Sequence, residues 1–312
     1  MAGVYVASYT PSGSFPFRLE RFDPLTLTLQ EYIDDMASPA IAAANLWAAG
    51  TAGNAGNIYR LNRDDVSDVL ATVNVGSVSL LNGTNDRLYL TELTGNTSSD
   101  RTDRLDPDDG SVVWSVSGTV CGPNPTKVID DGTHAYVVNA EGTARTITKL
   151  DASDGSFVDD VQLLGEPFDM TLVGTDLYVL RGTTAMDRID TSTMTATSGV
   201  LTAALGGIAT DQTDVFLSQG GIGFSGALRY DVGSQTTAEG LSLSAGQAGA
   251  VAALDVEFYA TGYSGTTGSV TRLSLSPLTF EDTTTLFGYP QVIAVLYANP
   301  VTSGWGVNTI NW

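Results

Sequence analysis

The chain has 312 residues, 42% of them apolar, and a formal net charge of −21, with a pI near 4.1. The charge comes from 27 Asp and 8 Glu against 12 Arg and 2 Lys, so no basic stripe exists to neutralise phosphates and nucleic acid is excluded as a partner. A single cysteine, Cys121, excludes an intrachain disulfide, a single histidine, His134, excludes a His/Cys zinc site, and the longest apolar run, Ala40 to Gly50, is too short to span a bilayer.

The opening Met1-Ala2-Gly3-Val4-Tyr5-Val6 has no basic region, long apolar stretch or twin arginine, so it does not read as a secretion signal. A strand pattern begins there, centred on Tyr5. A basic, apolar, small-polar phrase follows, Arg21-Phe22-Asp23. The same two signals then alternate along the chain. Trp47 precedes Arg60-Leu61-Asn62, Tyr89 precedes Arg104-Leu105-Asp106, and Tyr136 precedes Lys149-Leu150-Asp151. Tyr178 precedes Arg188-Ile189-Asp190, Phe216 precedes Arg229-Tyr230-Asp231, and Tyr259 precedes Arg272-Leu273-Ser274. An eighth aromatic centre, Trp305, ends the series. Successive phrases lie 39 to 45 residues apart, and they use seven of the fourteen basic residues.

Each aromatic sits in a β-rich run such as Leu88-Tyr89-Leu90-Thr91 or Leu177-Tyr178-Val179-Leu180, bounded by turn residues such as Asp130-Asp131-Gly132. After the phrase comes a turn and an outer run: Pro107-Asp108-Asp109-Gly110 into Val112-Val113-Trp114, and Ala152-Ser153-Asp154-Gly155 into Phe157-Val158. Asp-Gly after an extended run signals a hairpin. One repeat is then an inner strand, an aromatic strand, a basic-phrase strand and an outer strand. A period of this size in a strand-rich chain predicts an all-β fold, a seven-bladed β-propeller of four-stranded antiparallel blades, with residues 1–312 as a single domain. Eight aromatic runs against seven phrases imply that the two ends share a blade, which removes exposed edges. The segment from Pro290 to Trp312 is expected to complete the blade begun by residues 3–35, with either Tyr5 or Trp305 on its second strand.

In a strand, residues i and i+2 share a face. Arg21 and Asp23 are therefore expected to point one way, bridging to neighbouring strands or hairpin backbones, with Phe22 packing between blades. A residue type needed in every blade is a folding requirement, whereas an active site is rarely sevenfold. The acidic turns Asp106 to Asp109 and Asp151 to Asp154 lack the spacing of an EF-hand loop and read as solvated hairpins. Asp64-Asp65 and Asp159-Asp160 read likewise. Cys121 reads as a small buried residue and His134 as an exposed turn residue. Two sequons, Asn82-Gly83-Thr84 and Asn96-Thr97-Ser98, lie near turns.

The stretch Tyr136-Val137-Val138-Asn139 with Ile147-Thr148-Lys149-Leu150-Asp151 resembles the YVTN-type propeller repeat, and most blades carry a degraded version. Leu105-Asp106-Pro107-Asp108-Asp109-Gly110-Ser111-Val112-Val113-Trp114 is similar to a quinoprotein-type repeat, in this blade alone. Tyr5-Val6-Ala7-Ser8-Tyr9-Thr10 with Phe22-Asp23-Pro24 looks like the start of the seven-bladed lactonase family. That resemblance implies a central pocket of histidine, glutamate and arginine. The histidine-bearing strand ahead of the fourth blade is absent, so no catalytic residue carries over.

A surface this acidic and lysine-poor repels itself in dilute solution, and concentrated salt removes that penalty. It points to an extreme halophile, a haloarchaeon or one of its viruses, and to loss of fold at low ionic strength. No convergent catalytic set is present and no cofactor is implied. The leading expectation is a non-enzymatic structural or recognition propeller, a capsid, spike or tail component of a haloarchaeal virion. Its partners would be other structural protein chains or a cell-surface glycan or protein, without membrane insertion. The alternative is a cytoplasmic propeller of the halophile, acting as a scaffold or lactonase-like hydrolase. A secreted adhesin comes third. Contact residues are expected on the longer or Gly-rich loops, at Phe15, Phe17, Phe224 and Tyr263.

Overall fold

The computed structural model describes residues 3–309 apart from 10–16, 52–55, 79, 85, 94–97, 142–143, 183, 204, 222–223, 243–246, 255–256, 265–266, 276, 287–288 and 297–306. Seven antiparallel sheets form, six of them running inner, second, third and outer strand in sequence order. In blade II these are Met36–Ala42, Asn45–Gly50, Asn57–Asn62 and Asp65–Asn74. In blade IV they are Pro125–Asp130, His134–Glu141, Ala144–Asp151 and Phe157–Gln162. The inner strands of blades III, V, VI and VII are Leu80–Gly83, Pro167–Val173, Leu205–Thr210 and Gln247–Leu254. One turn of α-helix, Gly118–Cys121, links blades III and IV.

Blade I is different. Its second, third and outer strands are Gly3–Tyr9, Phe17–Phe22 and Leu29–Asp34, but its inner strand is Tyr289–Leu296 from the far end of the chain. That strand pairs antiparallel with Gly3–Tyr9, Val4 opposite Val295 and Val6 opposite Ile293. Every inner strand touches the inner strands of both neighbouring blades, so the seven form an unbroken circle. Tyr5 therefore occupies the second strand; Trp305 lies outside the described residues. A short fifth strand, Val307–Thr309, pairs with the inner edge of Tyr289–Leu296.

The two repeating sequence signals are cross-strand partners. Tyr5 faces Arg21, Trp47 faces Arg60, Tyr89 faces Arg104 and Tyr136 faces Lys149. Tyr178 faces Arg188, Phe216 faces Arg229 and Tyr259 faces Arg272. Directly opposed residues share a face of the sheet, so aromatic and cation lie side by side toward the next blade. The apolar residue of the phrase points back toward the preceding blade. Leu61 packs with Tyr5 and Leu19 of blade I, Leu150 with Tyr89 and Trp114 of blade III, and Leu273 with Phe216 of blade VI. Seven apolar clusters result, one per joint between blades. Burying a large apolar side chain contributes about 1.5–3 kcal/mol, so these joints supply the main cohesion of the ring.

In six blades the ladder to the outer strand shifts register directly after the basic residue. Such a bulge increases local twist and re-aims the flanking side chains. The turn that follows holds Gly110 at φ 75° in blade III and Gly155 at φ 78° in blade IV. Each tucks beneath a tryptophan of the preceding blade, Trp47 and Trp114 respectively. A positive φ with no room for Cβ accounts for the Asp-Gly signal in both places.

Candidate functional site

The basic residues of the phrase go into the joints. Arg21 donates through Nη1 to the Asp64 carbonyl at 2.9 Å, beside the Tyr5 hydroxyl donating to the Arg63 carbonyl at 2.7 Å. Arg60 donates to the Asp108 carbonyl, beside Trp47 Nε1 on the Pro107 carbonyl at 2.9 Å. Arg104 reaches the Ala152 carbonyl at 2.9 Å and Lys149 the Thr191 carbonyl at 2.8 Å. In each case the acceptor is in the third-to-outer turn of the following blade. The ring closes likewise, with the Tyr259 hydroxyl of blade VII 3.0 Å from the Pro24 carbonyl of blade I. Arg229 and Arg272 instead pair within their own blades, with Asp214 and Glu257, each at 2.7 Å.

The acidic residue of the phrase acts separately from the basic one. It lies at or just past the end of the strand, and its carboxylate caps its own turn. Asp106 accepts from the Asp108 amide, Asp151 from the Ser153 amide and Asp190 from the Ser192 amide, each at 2.8 Å. The Ser153 hydroxyl and amide hold Asp151 below the ordinary carboxylate value, and Ser192 does the same for Asp190. The basic and acidic residues of the phrase thus reach separate hairpin backbones, the basic one in the next blade and the acidic one in its own turn. Among the described residues no group of three or more His, Cys, Asp or Glu is placed to hold a metal ion.

Other candidate chemistry is also tied into structure. Cys121 is buried, and burial pushes its thiol up to about 11, so it is not a thiolate nucleophile near neutrality. His134 is half-buried rather than exposed, with Nδ1 3.6 Å from Asp131 and its ring 6.5 Å from that of Tyr136. Lys127 and Asp169 form a fully buried pair on the inner strands of blades IV and V. The Asp169 carboxylate also accepts from the Met170 amide at 2.9 Å and the Ile208 amide at 3.1 Å. It thereby links three consecutive inner strands. Burial pushes this carboxyl up, and Lys127 and the two amides oppose that push. Asn82 lies within an inner strand at 2% exposure, which closes the first sequon to modification. Asn96 lies outside the described residues.

The expected contact positions come together by topology. Alternating antiparallel strands place all second-to-third hairpins on one face of the disc and the capped turns on the other. Phe17 starts the third strand of blade I, Phe224 starts that of blade VI, and Tyr263 is near the end of the second strand of blade VII. The three thus share one face and three consecutive blades. Phe17 is half-buried, its ring 4.9 Å from that of Tyr9 at 45°. Phe15 lies outside the described residues, as do the side chains of Phe224 and Tyr263.

A second surface was not anticipated from sequence. Outer strands expose apolar side chains around an arc of five consecutive blades. These are Phe280 at 52% in blade VII, Leu29 at 49% in blade I, and Val69 with Leu70 in blade II. Val112 with Val113 in blade III and Phe157 with Val158 in blade IV continue it, Val112 and Phe157 each at 54%. Blades V and VI interrupt the arc with Ala196 and Thr237 at the equivalent register. Most of these residues sit opposite the phrase's apolar residue, where the bulge lets two neighbours both reach outward. Consecutive apolar pairs such as Val112-Val113 and Phe157-Val158, in place of strict alternation, are the sequence mark of this rim.

By sequence, no family model and no curated protein matches the chain. Among solved structures it is similar to BamB from Moraxella catarrhalis, with a TM-score of 0.54 at 12% identity over 93% of this chain and 92% of that one. It is similar to the Neurospora crassa Pan2 WD40 domain, with a TM-score of 0.58 at 9% identity over 83% and 80%. It is also similar to Kuenenia stuttgartiensis hydrazine synthase, with a TM-score of 0.53 at 15% identity over 67% and 70%. At these identities the likeness is one of fold.

Proposed function

We propose that this propeller is a non-enzymatic structural and recognition protein, a virion component of a haloarchaeal virus that packs against other protein chains. The apolar arc on the outer strands carries this reading. Exposed apolar side chains recur on the outer strands of five neighbouring blades, and a disc with such a rim suits side-by-side packing in an assembly. Among the described residues, Arg21, Arg60, Arg104 and Lys149 serve blade joints and Asp106, Asp151 and Asp190 cap turns, which supports a structural role. The solved structures it is similar to include a WD40 domain and BamB, and the likeness in fold is compatible with a scaffold role. The acidic, lysine-poor composition supports a halophilic setting. The face bearing Phe17, Phe224 and Tyr263 is then free for host attachment.

The test is mass spectrometry of salt-gradient-purified virus particles against host cytosol from the source culture. Enrichment in particles is the expected result. Presence in cytosol alone would overturn the virion assignment and justify a hydrolase substrate screen in molar salt.

A further inference from the structure

The Val307–Thr309 strand lies on the axis side of the ring. It pairs antiparallel with the inner strand of blade I, Val292 opposite Thr309, Ile293 opposite Asn308 and Ala294 opposite Val307. It also touches the inner strands of blades II, III, VI and VII. A segment in contact with the innermost strands of five blades lies within the circle they form. In the other six blades the inner strand ends the sheet.

We propose that the axis of this propeller is a strand-accepting site, filled in cis by the Val307–Thr309 segment, whose ligand class is an extended peptide. Adding a strand to a sheet edge draws its affinity from main-chain hydrogen bonds, with side-chain fit supplying selectivity. The blade I inner strand offers such an edge, with a row of N–H and C=O groups facing the axis. Three residue pairs make a short ladder, weak by itself. Tethering raises its local concentration to about the millimolar range, enough to hold a weak strand in place. Ring closure does not depend on it, because Tyr289–Leu296 makes its own ladder to Gly3–Tyr9. Occupancy of the axis and closure of the ring are therefore separable. The axial segment can leave without opening the propeller, and an extended peptide of another chain can take its place.

The experiment uses the full chain in molar salt, with Val307→Pro and Asn308→Pro combined. Two adjacent prolines remove the ladder amide whichever of the two residues donates. Hydrogen exchange is read at Val292, Ile293 and Ala294, and the probe is a labelled synthetic peptide of residues 301–312. The double-proline chain is expected to exchange at these positions about tenfold or more faster than wild type, and to bind the probe at least about tenfold more tightly. The probe should restore slow exchange. Unchanged exchange, a probe that does not bind the variant, or equal binding to wild type would each overturn the proposal. Asn308→Ala keeps the main chain and is expected to behave as wild type; if it behaves as the proline variant, side-chain anchoring and not strand addition holds the segment, and the proposal fails. Should the proline variant not fold, wild-type exchange decides. A strand paired on both edges protects all three amides, whereas alternation of fast and slow amides at 292–294 would refute the axial ladder.

Discussion

At the level of single residues, charge in this protein is spent on holding the chain together. The Lys127–Asp169 pair is the deepest case, since both groups are out of solvent and Asp169 also serves two amides. Removing one partner leaves an uncompensated buried charge. Asp169→Ala is expected to cost about 3–5 kcal/mol, read as a fall in denaturant midpoint. Combining Lys127→Met with Asp169→Asn removes both charges and keeps one carbonyl oxygen, able to accept from the Met170 or the Ile208 amide but not both, so it should recover part of that loss. If the double variant is as unstable as the single one, the charge argument fails. The turn-capping aspartates give a pH signature. Asp151 and Asp190 are held below the ordinary value of 3.8, so their contribution is present above that pH and lost as pH falls through their depressed folded values. Asp151→Asn cannot titrate. Its melting-temperature deficit relative to wild type should be present at pH 6 and shrink toward zero near pH 2; a constant deficit would contradict this cause.

Individual strands and turns were largely legible in the sequence. The order of aromatic strand, basic-phrase strand and outer strand is found in every blade, because β-branched and aromatic runs are bounded by turn residues that stop them. What the repeat meant was only half legible. Spacing alone shows a ladder, but not that Arg104 hands its proton donors to Ala152 of the next blade while Leu105 turns back to Trp47 of the previous one. That two-way arrangement follows from strand alternation once a neighbour exists on each side. The Asp-Gly turns carry a further demand, since Gly155 combines a positive φ with a tryptophan above it. Gly155→Ala is expected to destabilise the protein by about 1–3 kcal/mol through backbone strain, before any displacement of Trp114. Gly132 also has a positive φ but nothing near its absent Cβ, so Gly132→Ala should cost less. Equal losses at the two positions would show that the tryptophan contact is immaterial.

For the whole molecule, the net charge of −21 is spread over a closed disc, and mutual repulsion opposes compactness. At 1 M salt the screening length is about 3 Å, which leaves short paired contacts intact while removing long-range repulsion. The melting temperature is therefore expected to rise steeply from dilute buffer to molar salt. A melting temperature independent of salt would remove the physical basis for a halophilic assignment. The same screening lets two acidic discs approach, so the proposed lateral association through the apolar arc is expected in molar salt and not in dilute buffer.

The sequence by itself determined the class of fold, the number of blades and the strand order, because these follow from local periodicity and turn chemistry repeated seven times. It also excluded an intrachain disulfide and a His/Cys zinc site, which depend only on the chain having one cysteine and one histidine. The tertiary structure decided which end of the chain supplies which strand of the shared blade, a question of pairing across nearly 300 residues that no local pattern encodes. It decided that Asn82 is closed, that Lys127 meets Asp169 and that Phe17, Phe224 and Tyr263 share a face. It also placed the apolar rim and the axial strand. Each of these depends on which elements become neighbours in space, and that is set by closing the ring rather than by any stretch of sequence.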